Sequence, residues 1–362
     1  MPIELAVAKS PGERISEAAV IVGREAEVIP MLAVAPHGGA PTLRGSRWGV
    51  ILAGGDGTRL QQLTRLICGD DRPKQFCPLA GDETLLEQTQ CRAERSIPWD
   101  RILFSLTRNH RAFYLEELGI RASQRIVQPA NKGTAPAILH SLLSIEHLDR
   151  NAIVAILPCD HHYADEYTFT AALESAFEIA AERSESVVLI GAQPDRPEVE
   201  YGWIELGPPV GKESSELLRV RNFWEKPSLE IAQALLGERS AWNTFVMVGH
   251  VRAFLEMIAQ AIPDVLEAVR RARLWTGSEA HIEESAYNQV LSSDFSRQVL
   301  SVEIARLLVL RVQNLGWSDL GDPGRVLAVL EESSLRPAWL REWRQAKRPA
   351  VAARPRVRVA VA

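Results

Sequence analysis

The segment L-A-G-G-D-G-T-R-L over 52–60 places Gly54, Gly55 and Gly57 directly after the apolar run W-G-V-I-L-A of 48–53. Such a run reads as a buried strand ending in a loop. Backbone without Cβ atoms folds tightly enough there to aim successive N–H groups at one anion, which makes 52–58 a candidate phosphate cradle. The pattern is not the dinucleotide fingerprint, since Leu60 stands where a third glycine would fall, and it is not a Walker A loop, which needs Gly-Lys-Ser/Thr. Arg59 follows at once, and R-P-K-Q-F at 72–76 sets Lys74 in a proline-stiffened segment, so two long cations could reach the same phosphates. A plain tight turn with surface cations is the alternative these residues leave open. Further on, P-C-D-H-H follows the apolar run 152–157 and puts Asp160 at a strand's carboxyl end, as a hard-cation ligand or as a turn or N-cap residue. His161 and His162 point different ways on an extended chain and have no third soft ligand spaced to join them, which argues for a supporting role over a zinc site.

Elements that could position these groups recur along the chain. Apolar, β-branched runs at 102–106, 125–127, 152–157 and 187–190 alternate with helical spacing at 85–95, 135–145 and 169–181. That alternation predicts an α/β fold, a mostly parallel sheet with helices on both faces, with ligands at the carboxyl ends of the strands. Additional strands are expected over 201–206 and 218–224, and helices over 228–236 and 251–261. The organisation expected is an irregular N-terminal extension over 1–47, one domain over 48–330, and a basic tail over 331–362 that reads as a solvated helix and frayed end.

Eight short motifs stand in a fixed order over 48–330: A-G-G-D-G-T-R-L from Ala53, R-P-K-Q-F from Arg72, Q-P-A-N-K-G-T-A-P-A-I from Gln128, P-C-D-H-H from Pro158, Y-G-W-I-E from Tyr201, F-W-E-K-P from Phe223, W-N-T-F from Trp242 and W-S-D-L-G from Trp317. In this the chain resembles the mannose-1-phosphate guanylyltransferase family of sugar-1-phosphate nucleotidylyltransferases. The resemblance implies a Rossmann-like, GT-A-like nucleotidyltransferase fold with a mixed, mostly parallel sheet. It also implies transfer of a nucleotidyl group from a nucleoside triphosphate, GTP above others, to a sugar 1-phosphate, mannose 1-phosphate above others, with release of pyrophosphate and with Mg2+ as cofactor. The catalytic residues it implies are Arg59, Lys74, Asp160 and Lys226, and the metal ligands Asp160 and Asp319. Leu52, Ala53, Gly54, Gly55, Gly57, Thr58, Gln128, Thr134 and Ala135 would contact the nucleotide; Gly202, Glu225, Lys226 and Asn243 would contact the sugar phosphate. From the residues alone, Gln128 offers an amide to a base edge, Asn243 can both donate and accept, Gly202 permits close approach or marks a bulge, and Asp319 could be an N-cap for a helix near 324–330.

Three departures bear on substrate. Lys132 and Gly133 stand where the family commonly has arginine and asparagine, which opens the choice of base. Thr244 and Phe245 follow Trp242 and Asn243 where Ser-Gly is common, adding bulk close to the expected sugar pocket. The C-terminal isomerase domain of longer members has no counterpart after Leu330, so no isomerase activity is expected. The same transfer with another sugar or nucleotide, or a non-catalytic regulatory subunit, are the competing readings.

Composition narrows the class. An apolar fraction of 46% over 362 residues permits a large core, and a net charge of -5 argues against a nucleic-acid coat. Four cysteines without C-x-x-C pairing indicate neither a zinc site nor a disulfide framework. With no export signal and no apolar stretch near ~20 residues, the expectation is a cytoplasmic enzyme with neither membrane nor nucleic-acid partner, a homodimer being left open.

Overall fold

The computed structural model describes residues 46–346 except 116–118, 212–215, 239 and 277–278. Nearly all of the expected 1–47 extension and the basic stretch beyond Ala346 lie outside the described residues. The main sheet comprises β1 (Arg47–Leu52), β2 (Ile102–Thr107), β3 (Arg125–Gln128), β4 (Ile153–Pro158), β5 (Val187–Ala192), β6 (Gly202–Pro209), β7 (Leu217–Glu225), β8 (Ser240–His250) and β9 (Leu307–Val312), in the order β3-β2-β1-β4-β8-β5-β9-β7-β6. Its helices are α1 (Gln61–Cys68), α2 (Leu85–Glu94), α3 (Thr134–Leu148), α4 (Glu166–Glu182), α5 (Leu229–Gly237), α6 (Val251–Ala261), α7 (Pro263–Ala272), α8 (Pro323–Glu332) and α9 (Trp339–Ala346).

Period-two alternation divides the sheet between two cores. Every residue of β4 is buried; Val154 and Ile156 join one core with α3, α6 and α7 residues such as Leu139, Phe254 and Val265, while Ile153, Ala155 and Leu157 join the other with Leu86 of α2, Phe169 and Phe177 of α4 and Leu235 of α5. Continuous apolar runs are what a strand covered on both faces requires, and each fully buried Leu or Phe contributes about 1.5–3 kcal/mol. Local sequence sets the helix starts. Thr84 and Glu87 form a reciprocal capping box on α2, and Asp165 accepts from Tyr167 N and Thr168 N at the start of α4.

The α/β class, the mixed sheet and the helices on both faces are as expected, and the parallel pairing is confined to β3-β2-β1-β4 and β5-β9. Strand β8, read from sequence only as a motif, runs antiparallel between β4 and β5, and β9, β7 and β6 pair antiparallel. No helix among the described residues is long and apolar enough to cross a membrane.

The reading of everything after 330 as a solvated helix and tail is corrected for its described part. Trp339, Leu340 and Trp343 of α9 are buried in a third cluster with Leu60, Leu63, Leu79, Val326 and Leu330. A one-sided apolar stripe set among arginines is the cause, and it braces α1 and α8, the two helices that follow the glycine loop and the Asp319 loop. Trp343→Ala is expected to cost about 3 kcal/mol and Arg344→Ala, on the exposed face, within about 0.5 kcal/mol. Urea denaturation of the two variants checks this, and equal effects would mean that α9 is not docked.

Candidate active site

Strand β1 ends between its two parallel partners, so the glycine segment leaves from the carboxyl edge of the parallel half. The loop is stapled from below. Gln75 Nε2 donates to Ala53 O at 3.0 Å and Gly55 O at 2.8 Å, Thr107 Oγ1 donates to Gly54 O at 3.0 Å, and Ala53 N donates to Ser105 O at 2.9 Å. With its carbonyls tied to protein donors, the loop's remaining capacity is in N–H groups, the polarity an anion needs. Gly57 has φ +59 and a Cβ there would lie 3.0 Å from Lys74 N, while a Cβ at Gly54 would lie 2.8 Å from Thr107 Oγ1. Gly55 faces open space, and it is this glycine that a ligand can approach. Leu52, Gly54, Gly55 and Arg59 line the cleft; Ala53 is fully buried, and Gly57 and exposed Thr58 shape the turn. Within R-P-K-Q-F, Lys74 is marked by its charge, whereas Gln75 beside it carries no signal in sequence and acts through the loop carbonyls it holds.

Lys74 is 7% exposed. Its ammonium donates to Asp319 O at 2.6 Å and Leu320 O at 3.1 Å and lies 3.2 Å from Asp160 Oδ2. Leu320 has φ +47, a costly conformation for leucine, and this turn presents two successive carbonyls to one cation. The structure thus brings Asp160 and Asp319 to one cleft. Asp319 is not an N-cap, a role taken by Asp322 on α8; its carboxylate accepts from Arg325 Nη1 at 2.7 and 2.9 Å and from Gly321 N at 2.8 Å. Burial pushes its pKa up, but Lys74, His161 and Arg325 outweigh burial and hold it below the usual carboxylate range. Arg325, which nothing in the sequence marked, also lies 3.3 Å from Glu198 Oε1 and over the Tyr201 ring. His161 Nδ1 accepts from Trp317 Nε1 at 3.2 Å, and burial lowers its pKa, keeping the ring neutral. Among the described residues no group of three or more His, Cys, Asp or Glu side chains is placed to hold a metal, so a metal at Asp160 and Asp319 would draw further oxygens from its ligand.

Gly202 of β6 pairs with Glu225 of β7, and a Cβ there would lie 3.0 Å from Glu225 Oε2 and 3.3 Å from Asn243 Cβ. The close approach at this glycine is therefore made by the two side chains themselves. Lys226 has φ +52 and its N–H donates to Tyr201 O at 3.2 Å. Asn243 Oδ1 accepts from Phe245 N at 3.0 Å, and Phe245, at φ +59, lines the cleft. Thr244 does not add bulk there: it is fully buried, donating to Ile190 O at 2.6 Å across the irregularity between β5 and β8. Asp294 and Ser296, from a segment the sequence reading passed over, complete this end of the cleft. Burial raises the Glu225 pKa, and Asp294 raises it further.

Gln128 is buried, with Oε1 accepting from Tyr287 O–H at 2.6 Å and Nε2 donating to Ser105 Oγ at 3.4 Å, so its carbonyl is committed and its amino group is what it offers the cleft. Ala135 offers nothing: it is fully buried and its N–H donates to Ser293 O at 3.1 Å. Thr134 lines the cleft while its Oγ1 accepts from Phe295 N at 2.8 Å. Gly133 has φ +91, and a Cβ there would lie 2.4 Å from Ser293 O. Any side chain at this position would meet the Ser293 backbone and require the 293–295 segment to shift.

A family model described as nucleotidyl transferase matches residues 48–333. The chain belongs to the nucleotidyl transferase family. It is 30% identical over 292 residues to the xanthan biosynthesis protein XanB of Xanthomonas campestris pv. campestris (strain B100), covering 78% of this chain and 59% of that one. It is 31% identical over 282 residues to a mannose-1-phosphate guanylyltransferase of Escherichia coli (strain K12), covering 75% of this chain and 57% of the relative. The chain therefore spans somewhat more than half the length of these curated relatives. The crystal structure of mannose-1-phosphate geranyltransferase from Thermus thermophilus, so named, superposes with a TM-score of 0.67 at 28% identity, covering 81% of this chain and 80% of that one. The resemblance read from eight motifs is borne out as a family membership.

Two positions of this family member can be tested by stability alone. Gly133→Ala is expected to destabilise by at least roughly 1–3 kcal/mol, read by urea unfolding; wild-type stability would show that the 293–295 segment moves aside freely. Because the folded pKa of Glu225 lies above its unfolded value, its contribution to stability is full below the ordinary carboxylate range of ~4.3 and is lost as pH rises through the folded value. Glu225→Gln is therefore expected to melt higher than wild type at about pH 8, with the gap closing by about pH 4. A gap independent of pH would assign the effect to another group.

Proposed function

We propose that this chain transfers a nucleotidyl group from a nucleoside triphosphate to a sugar 1-phosphate with release of pyrophosphate, with GTP and mannose 1-phosphate as the pair. The observation that carries the reading is a single cleft of ≈ 450 Å³ lined by the glycine loop, Arg59, Lys74, Asp160, Asp319, Lys226, Glu225 and Asn243. That volume suits one small-molecule site. The sugar and the base rest on the names of the relatives, and the chemistry rests on the residues.

In such a transfer a phosphate oxygen of the sugar phosphate attacks the α-phosphorus of the triphosphate, and the bond to the pyrophosphate leaving group breaks. A phosphate monoester has its second pKa near ~6, so the attacking group is largely a dianion at neutral pH and needs no general base, in keeping with a neutral His161 already bonded to Trp317. The obstacle is repulsion between anions, and Arg59, Lys74 and Lys226 answer it with preorganised positive charge. The glycine-loop N–H groups would hold the triphosphate, and Asn243 and Glu225 would accept from or donate to sugar hydroxyls. Two carboxylates at one cleft, one of them held ionised, fit a hard divalent cation. Asp160 and Asp319 would hold Mg2+, which supplies Lewis-acid neutralisation of the phosphates when bound.

Pyrophosphate release measured with Mg2+ over four nucleoside triphosphates and several sugar 1-phosphates tests the reading. Release is expected to be greatest with GTP and mannose 1-phosphate and to fall at least about 100-fold in Lys74→Met and in Asp160→Asn. Selectivity for another pair would replace the substrates and keep the reaction, whereas no release from a folded protein that binds nucleoside triphosphate would overturn it.

A further inference from the structure

A carboxylate stands where the proposed reaction brings cations to phosphate. Glu200 lines the cleft, and its Oε2 lies 3.6 Å from Arg59 Nη1 and 3.6 Å from Lys226 Nζ. These cations come from different segments, the loop after β1 and the end of β7, and the atom they share is this oxygen. The meeting is set by backbone. Glu200 N donates to Glu198 Oε1 at 3.0 Å, Glu198 O accepts from Trp203 Nε1 at 2.7 Å, and Lys226 N donates to Tyr201 O at 3.2 Å, one residue from Glu200. Of the other carboxylates of the cleft, Asp160 has Lys74, Asp319 has Lys74 and Arg325, and Glu225 faces Asp294 as well as Lys226 and Arg297.

We propose that Glu200 is an internal anion seated between Arg59 and Lys226, which the phosphate of the acceptor must displace, so that Glu200 selects the ligand by its charge. The inference rests on the reading that these two cations serve a phosphate. All three side chains are about half exposed, so each contact is weak and reversible. A singly charged anion that replaces a carboxylate gains little, whereas a phosphate monoester carries close to two charges at neutral pH and gains from both cations. The carboxylate thereby holds the cations converged while the seat waits and raises the charge a ligand needs to enter.

The test is calorimetric titration of inorganic phosphate, close to a dianion like the acceptor's monoester, into metal-free protein, with no turnover required. Glu200→Gln and Glu200→Ala are each expected to bind roughly three- to tenfold more tightly than wild type, and Arg59→Ala added to Glu200→Gln to abolish the gain. Asp195→Asn, which removes a charge from the neighbouring loop, controls for the general field and is expected to stay within about twofold. Unchanged affinity in both Glu200 variants, no binding by any of the proteins, or an equal gain in Asp195→Asn would overturn the proposal. Weaker binding would overturn it too, by making Glu200 a ligand-holding group. Tighter binding in variants of a protein that turns over no substrate pair would sink the proposed reaction and leave this inference standing.

Discussion

Placing the Lys74 ammonium inside the protein requires oxygens around it, and that requirement ties three distant parts of the chain together. A buried cation without partners costs several kcal/mol, so its position holds only while Asp160 and the carbonyls of Asp319 and Leu320 stay within reach. The strained turn at Leu320 is one cost of that arrangement, and the Arg325 contact to Asp319 is what keeps the turn from opening. The residues on either side of Lys74 extend the linkage. Gln75 carries two carbonyls of the glycine loop, and Gly57 must lack a Cβ because the loop passes against Pro73 and Lys74 N. Phosphate cradle, cation and carboxylates are thus one mechanical unit, and a shift in any of them moves the others.

The departures from the family's motifs become intelligible as a pair. Gly133 leaves room for the 293–295 segment, which is then fastened to the start of α3 by Ser293 N to Lys132 O, Ala135 N to Ser293 O and Phe295 N to Thr134 Oγ1. Fastening that segment is what carries Asp294 and Ser296 into the cleft near Glu225. A change read on the nucleotide side of the sequence therefore alters the chemistry of the sugar side. Phe245, held at positive φ by the Asn243 side chain, narrows the same end.

What the sequence made legible was whatever depends on local pattern. Continuous apolar runs marked β1, β2, β4 and β5, and glycine spacing marked the loop, because strand burial and tight turns are properties of neighbouring residues. Strand β8 escaped because W-N-T-F interrupts its alternation with polar side chains that serve the cleft and the irregularity beside β5. The docking of helix α9, read as solvated, escaped because its buried stripe of Trp339, Leu340 and Trp343 lies among arginines. Gln75, Asp294 and Glu200 escaped because their significance is a partner distant in sequence, and Arg325 because its partner Asp319 is near in sequence but met only through the turn at Leu320. Ala135 was read as a ligand contact for the converse reason, since the motif that contains it is a packing motif as much as a binding one.

Charge balance in the cleft supplies an argument for the divalent cation that is independent of any motif. The lining residues include five carboxylates, Asp160, Glu200, Glu225, Asp294 and Asp319, against three cations, Arg59, Lys74 and Lys226. Two of those carboxylates, Asp160 and Glu200, sit directly against the cations, Asp319 is paired with Arg325 from outside the lining, and Glu225, whose pKa is raised first by burial and then by Asp294, stands on the negative side. A nucleoside triphosphate entering such a cleft would meet carboxylates of its own sign, and repulsion from the partly buried ones is screened by salt less than it would be at an open surface. Mg2+ held at Asp160 and Asp319, as proposed, would reduce that repulsion. An excess of carboxylates over cations in a cleft proposed to take phosphates is the arrangement that a divalent cation entering with them would complement, and so it supports the proposal of Mg2+ at Asp160 and Asp319.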